Sequence, residues 1–152
     1  MCTYENYKSA YVAILGLPNA GKSTLLNSLV EKELCITSER PQTTRNSILG
    51  IRHSEHYQML FLDTPGWHQG KLKIDHFFRN QVEQSILDAD LILFVIDARH
   101  PKIEKNRKFL EFLTNKSKKT IILVLTKIDT VKQSALIEIM HNLHSEFKKI
   151  KE

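Results

Sequence analysis

The chain has 152 residues, of which 41% are hydrophobic and 26% are charged, and its formal net charge is +5. These proportions suit one folded domain and exclude a disordered chain. No apolar run reaches the roughly 18–20 residues that a membrane-spanning helix needs, and the first residues do not resemble a secretion signal. The two cysteines, Cys2 and Cys35, lack metal-ligand spacing. A reducing, cytoplasmic location is therefore expected.

The first half of the chain alternates between apolar runs and helical spacing. A buried strand is predicted at residues 11–15, and a turn containing Gly and Pro then leads into a helix at 22–30. Residues 33–46 are polar, show no clear period and are predicted to form a loop. Two strands at 47–52 and 57–62, joined by a short polar turn, predict an antiparallel hairpin.

The second half continues the alternation. Strands are predicted at 91–96 and 120–125, and apolar residues within 77–87, 109–113 and 136–147 predict three helices. Strands alternating with helices indicate an α/β fold with a mostly parallel sheet covered by helices. Ligands in such sheets bind at the carboxyl ends of the strands, where the loops after residues 15, 62 and 125 are expected to lie.

A glycine-containing loop with the sequence GLPNAGKS joins the first predicted strand to the first helix. It matches the pattern GxxxxGK[ST], in which backbone N–H groups and the helix N-terminus face phosphate oxygens. Lys22 is predicted to neutralise the β- and γ-phosphates of a nucleotide, and the Ser23 hydroxyl to bind Mg²⁺. The nucleotide-binding residues predicted in this loop are Gly16, Asn19, Ala20, Gly21, Lys22, Ser23 and Thr24.

Asp63 and Gly66 belong to a DTPG run that follows the strand predicted at 57–62. Asp63 is predicted to hold Mg²⁺ through water, and Gly66 to offer its backbone N–H to the γ-phosphate. A DTPG run alone is most often an ordinary turn. Its position after an apolar strand, downstream of the phosphate loop, favours the functional interpretation.

Thr126, Lys127 and Asp129 form a TKID run after the strand predicted at 120–125, a variant of the guanine-binding pattern N/T-K-x-D. The Asp129 carboxylate can accept hydrogen bonds from N1–H and the 2-amino group of guanine. Adenine lacks these donors and would leave the carboxylate unpaired. The Lys127 stem can lie on the face of the base, while Thr126 replaces the commoner Asn with a hydroxyl. An ordinary polar strand end is the alternative interpretation.

Thr43 and Thr44 lie in the polar loop, within the run PQTTR. One threonine could complete the Mg²⁺ shell when a γ-phosphate is present, and its release after hydrolysis would let the loop move as a switch. A Thr-Thr pair means little by itself, but its place between the first two motifs favours this hypothesis.

Basic residues concentrate between positions 99 and 119. A solvated helix face is the simpler interpretation, and contact with nucleic acid or ribosome is the alternative. The eight basic residues are Arg99, Lys102, Lys105, Arg107, Lys108, Lys116, Lys118 and Lys119.

Over residues 8–150, the four motifs together resemble the Era GTPases, within the TrmE-Era-EngA-like P-loop GTPases. The most specific segments are GLPNAGKSTLLN at 16–27, PQTTR at 41–45 with ILGI at 48–51, and DTPGWH at 63–68. Relatives such as EngA and MnmE usually have GTTRD where this chain has QTTRN, which favours the Era type. EngA and MnmE are kept as alternatives within the same family. The resemblance implies a P-loop NTPase G domain with a mostly parallel sheet, helices on both faces and one antiparallel strand.

The resemblance also implies an activity, the hydrolysis of GTP to GDP and phosphate by a molecular switch. It assigns catalytic roles to Lys22, Thr44 and Gly66, and Mg²⁺ ligation to Ser23, Thr44 and Asp63. Trp67 stands where many small GTPases have a water-orienting Gln. In Era-like proteins the position of Asn19 is associated with K⁺, which could offset charge developing on the phosphates. The alternative is that Asn19 only shapes its own loop.

The implied partner is the small ribosomal subunit with its 16S rRNA; a peripheral membrane contact is left open, and a monomer is expected. Era proteins have a sixth strand, a last helix and an RNA-gripping KH domain beyond the point where this sequence stops. The expectation is therefore a G domain spanning 1–152 that is truncated before its last strand and has no KH domain. Ser134 and Ala135 follow no predicted strand and are not taken as the Ser-Ala base motif. A nucleotide-binding fragment with weak or no activity, or a P-loop kinase or ATPase, are the competing hypotheses.

Overall fold

The computed structural model of the chain describes residues 7–30, 48–62 and 73–151. Within these residues, strands and helices alternate as the sequence predicts. The strands are β1 (Lys8–Gly16), β2 (Ile48–His53), β3 (Tyr57–Leu62), β4 (Leu91–Asp97) and β5 (Thr120–Thr126). The helices are α1 (Lys22–Val30), α2 (Lys73–Asp88), α3 (Ile103–Lys116) and α4 (Gln133–Lys151), and a short 3₁₀ turn spans Ile128–Thr130.

The described strands form one five-stranded sheet in the order β2-β3-β1-β4-β5. β1 pairs in parallel with both β3 and β4, and β4 pairs in parallel with β5. β2 is antiparallel to β3, which confirms the predicted hairpin and the predicted fold class. The parallel strands end at one edge of the sheet, so the loops after β1 and β5 lie at the same edge, as predicted.

β4 is apolar on both faces because each face of the sheet is covered. Phe94 packs on one side, where its ring meets Phe109 of α3 edge-on with centroids 5.2 Å apart. Val95 packs on the other side, in a cluster with Val12 of β1 and Val30 of α1. This double burial anchors the middle of the sheet and fixes where its carboxyl edge lies.

The prediction from sequence overestimates how far β5 and α4 are buried. Residues 120–125 are predicted as a buried strand, yet Ile122 is 45% exposed because β5 is the outermost of the described strands there. In α4, Leu143 is buried, whereas Ile137 and Met140 are 63% and 55% exposed. The apolar stripe of α4 is therefore wider than the surface it covers. No helix in the described part of the chain is long and apolar enough to cross a membrane.

Candidate nucleotide-binding site

The loop between β1 and α1 has the backbone geometry that its glycines require. A Cβ at Gly16 would lie only 2.4 Å from the carbonyl oxygen of Val95, so β1 can approach β4 this closely only with glycine there. Gly21 has a φ of +92°, in the region that glycine favours. Asn19 also has a positive φ, of 64°, a conformation that Asn adopts more readily than most residues. The loop therefore curls tightly at the carboxyl edge of the sheet.

Lys22 begins α1, and its ammonium folds back into this loop. Its Nζ donates hydrogen bonds to the carbonyl oxygens of Gly16 and Leu17, at 3.2 and 3.0 Å. Burial lowers the pKa of Lys22. A phosphate oxygen would be a stronger acceptor than either neutral carbonyl. Ser23 and Thr24 follow in the first turn of the helix and are exposed.

Thr126 connects the end of β5 to the phosphate loop. Its hydroxyl donates to the carbonyl oxygen of Ala20 at 2.6 Å, and the carbonyl oxygen of Ile96 lies 3.2 Å away. A hydroxyl carries a single proton, so the shorter contact is the hydrogen bond it makes. A Cβ at Gly21 would come 3.3 Å from this hydroxyl oxygen. The sequence predicts a hydroxyl in the guanine motif, but the pattern does not reveal its partner.

Lys127 makes a second connection to the same loop. Its backbone is left-handed, with a φ of 57°, and its Nζ donates to the carbonyl oxygen of Asn19 and to Oδ2 of Asp97, both at 2.6 Å. Burial alone would raise the pKa of Asp97, but hydrogen bonds from Arg99 and Lys127 outweigh it and hold that pKa well below its usual range. Asp97 is absent from the sequence prediction; the available signal was an acidic residue at the end of a buried strand.

Asp129 lies in the 3₁₀ turn that follows Lys127, and it is exposed. The turn is closed by Thr130, whose backbone N–H and hydroxyl both donate to the carbonyl oxygen of Lys127, at 3.3 and 2.9 Å. The structure therefore brings the guanine motif and the phosphate loop together. The remaining predicted site residues, Thr44, Asp63 and Gly66, lie outside the described residues, as do Thr43 and Trp67.

Two cavities differ in size and in their distance from the motif residues. One of about 260 Å³ adjoins the phosphate loop and is lined by Asn19, Asp97 and Lys127, among others. A larger cavity, of about 950 Å³, lies between β5, α3 and α4 and contains no motif residue. The motif residues, and not cavity volume, therefore identify the site.

Much of the basic stretch between positions 99 and 119 is paired with carboxylates. Arg107 bonds to Glu104 and Glu111, Lys108 pairs with Glu104, and Lys116 pairs with Glu83. Arg99 pairs with Asp97. Lys119 donates to carbonyl oxygens of Ile86 and Leu87 near the end of α2. These partners support the interpretation as a solvated, internally paired surface.

Comparisons with known proteins agree with the geometry. A family model described as 50S ribosome-binding GTPase matches residues 11–127, more than half of the chain. GTPase Era of Geotalea uraniireducens is 41% identical over 136 residues, which is 90% of this chain and 46% of that protein. The chain belongs to the Era-type GTPase family. It spans about half the length of the curated relatives it matches.

Two solved Era structures resemble the fold closely. An Aquifex aeolicus Era variant bound to GDP and AlF4⁻ aligns with a TM-score of 0.77 and 34% identity, covering 93% of this chain and 48% of that one. Era in complex with MgGDPNP and nucleotides 1506–1542 of 16S ribosomal RNA aligns with a TM-score of 0.73 and 36% identity, covering 92% of this chain and 49% of that one.

The Thr126 hydrogen bond yields a testable prediction. In Thr126→Val the side chain keeps its shape but leaves the Ala20 carbonyl without this donor, so we expect the free energy of unfolding to fall by about 1–2 kcal/mol. Denaturant unfolding measures the change. Thr120→Val, at the exposed start of the same strand, is the matched control and should lose less than about 0.5 kcal/mol. Equal losses in both variants would contradict a specific role for the Thr126 hydroxyl.

Proposed function

We propose that this chain binds GTP and hydrolyses it to GDP and phosphate, as the G domain of an Era-type molecular switch. The observation that carries the proposal is the joining of two motifs. Thr126 and Lys127 hold the guanine motif against the phosphate loop at Ala20 and Asn19. One nucleotide could then place its phosphates in the loop and its base beside Asp129.

The reaction transfers the γ-phosphoryl group to water. The loop N–H groups and the Lys22 ammonium are proposed to stabilise charge on the phosphates, which is the main catalytic demand of phosphoryl transfer. Mg²⁺, when bound, neutralises further phosphate charge. The Ser23 hydroxyl, exposed beside Lys22 in the first turn of α1, fits as a hard oxygen ligand, and Thr44 and Asp63 are proposed to complete the set. Gly66 is proposed to contribute its backbone N–H.

Asn19 carries the proposal that K⁺ assists hydrolysis. The backbone carbonyl of Asn19 already accepts a hydrogen bond from Lys127. The side-chain oxygen of Asn19 is therefore the atom proposed to coordinate a cation. Within the described residues the Asn19 side chain makes no hydrogen bond to its own loop, which argues against a purely loop-shaping role. Trp67 stands where many small GTPases have a water-orienting Gln. Additional positive charge near the phosphates would therefore affect the hydrolysis rate more than in a GTPase that has this Gln.

We expect hydrolysis to be faster in K⁺ than in Na⁺ buffer of equal ionic strength, by about tenfold, since a well-placed charge supplies at least 1.4 kcal/mol. Phosphate release from the purified chain measures it. Asn19→Ala should abolish the difference, whereas Asn27→Ala, exposed near the end of α1, should keep it. Equal wild-type rates in the two buffers would contradict the K⁺ proposal and leave the GTPase proposal standing.

Asp129 is proposed to select guanine, which predicts a change of base specificity. Asp129→Asn should weaken GDP binding on the order of a hundredfold, because a charged acceptor is replaced by a neutral amide. The same variant should gain affinity for xanthosine diphosphate, because the amide N–H can donate to the C2 oxygen of xanthine. Titration with fluorescent nucleotides measures both effects.

The matched control for Asp129→Asn is Glu138→Gln, an equivalent loss of charge on the exposed surface of α4. It should leave GDP affinity unchanged. Tighter binding of ATP than GTP by the wild-type chain would instead favour the kinase or ATPase hypothesis. GDP binding without measurable hydrolysis would favour a nucleotide-binding fragment.

We further propose that the switch acts in assembly of the small ribosomal subunit, and hence in the cytoplasm. Support comes from the similar Era structure that holds 16S rRNA, an RNA of the small subunit. The family model's description names the 50S subunit instead. We favour the small subunit because the Era relatives match more of the chain than that broad model does.

Co-sedimentation with purified ribosomal subunits tests the partner. We expect binding to 30S subunits to be several-fold stronger with a non-hydrolysable GTP analogue than with GDP. The 50S subunits serve as the comparison within the same experiment. Preference for 50S subunits, or binding that ignores the nucleotide, would contradict the small-subunit proposal.

A further inference from the structure

We propose that Asp97 is a positioning residue for guanine nucleotide binding, which fixes the Lys127 ammonium between the end of β4 and the phosphate loop. The inference rests on the proposed function and deepens it. Asp97 belongs to none of the four motifs. Its carboxylate would act through Lys127 and the turn that carries Asp129, and not by touching the nucleotide.

Strand pairing explains why Asp97 and Lys127 meet. The register of β4 and β5 places Asp97 opposite Thr126, the residue directly before Lys127. The backbone N–H of Ala98 donates to the Thr126 carbonyl oxygen at 3.0 Å, which extends the pairing past the end of β4. Lys127 then leaves the strand direction through its left-handed backbone, and its ammonium returns to Asp97.

The Asp97 carboxylate is oriented by the residue two positions along the chain. Its Oδ1 accepts hydrogen bonds from the backbone N–H and the Nε–H of Arg99, at 3.0 and 3.3 Å. Its Oδ2 accepts from Lys127 at 2.6 Å and from Arg99 Nη2 at 3.2 Å. Arg99 therefore orients the carboxylate through both oxygens, and the lysine makes the shorter bond to Oδ2.

The strength of this contact follows from charge and burial. The side chains of Lys127 and Asp97 are only 28% and 13% exposed, so solvent screens their attraction less than that of a surface ion pair. The other partner of the ammonium is the neutral carbonyl of Asn19. Both bonds have the charged ammonium as donor, but only the bond to Asp97 joins two opposite charges, so Coulomb attraction adds to it. Asp97 is thus the stronger of the two anchors of Lys127.

Fixing Lys127 also fixes the guanine-binding turn. The Lys127 carbonyl accepts both hydrogen bonds of Thr130 that close the turn containing Asp129. A mobile Lys127 would loosen the turn at its first residue and release the link to the Asn19 carbonyl. We therefore expect Asp97 to lengthen nucleotide residence while leaving the choice of base to Asp129.

The test is a double-mutant cycle on the purified full chain, read out as the dissociation rate of fluorescent GDP. Asp97→Asn should accelerate dissociation about tenfold, the loss expected for one hydrogen bond between charged groups. Lys127→Met keeps the lysine stem and removes the ammonium. Because both variants remove the same contact, the double variant should dissociate no faster than Lys127→Met alone.

The matched control is Asp90→Asn, at the opposite end of β4, where the carboxylate accepts a hydrogen bond from the Tyr11 N–H. Combined with Lys127→Met it should show additive effects. Asp97→Glu keeps the charge and should recover most of the wild-type rate. Were Asp97→Asn to lose its fold by circular dichroism, the test rests on Lys127→Met and Asp97→Glu: GDP should dissociate faster from the first and at close to the wild-type rate from the second. A wild-type rate in Lys127→Met would then overturn the positioning role.

Four results would count against the inference or its basis. A wild-type dissociation rate in Asp97→Asn, or full additivity with Lys127→Met, would overturn the positioning role alone. A changed preference between GDP and xanthosine diphosphate in Asp97→Asn would also overturn it, because that preference is assigned to Asp129. A wild-type chain that binds no guanine nucleotide would overturn the proposed function itself.

Discussion

The candidate site depends on the parallel, in-register pairing of β1, β4 and β5. β4 lies between the other two strands, pairing its Val95 with Gly16 and its Asp97 with Thr126. This pairing brings the start of the phosphate loop and the start of the guanine motif to neighbouring positions, although they are far apart in sequence. A one-residue slip would turn the side chains of β4 to opposite faces and separate the partners. Burial of β4 on both faces is what makes such a slip costly.

Three contacts then convert this proximity into a defined pocket. Gly16 permits the close approach of β1 to β4, since a Cβ would collide with the Val95 carbonyl. The Thr126 hydroxyl joins the strand end to Ala20, and the Lys127 ammonium joins the next residue to Asn19. Both connections use backbone carbonyls of the phosphate loop as acceptors. Neither connection uses a backbone N–H of the loop, of which the Ala20 N–H donates to the Leu17 carbonyl oxygen at 3.2 Å.

Sequence patterns predicted the elements and the motif residues because both depend on local spacing. The strand pairs, the helix at Lys22–Val30 and the loop glycines can be read from a few consecutive residues. Asp97 could not be predicted this way, since its role depends on which residue of β5 it faces. The partner of Thr126 is non-local for the same reason. The exposure of Ile122 and Met140 was missed because periodicity records which residues are apolar, but not how far neighbouring elements extend over them.

The two lysines of the site have different electrostatic surroundings, and these imply different roles. Lys127 is paired with Asp97, so its charge is largely balanced within the protein and contributes little attraction for phosphate. Lys22 has only the carbonyl oxygens of Gly16 and Leu17 as partners among the described residues, and burial lowers its pKa, which marks a charge that the fold itself does not compensate. An anionic phosphate would supply the missing charge, stabilising the ammonium and raising that pKa again. We therefore propose that Lys22 binds the negatively charged phosphates of the ligand and that Lys127 holds the guanine motif against the phosphate loop.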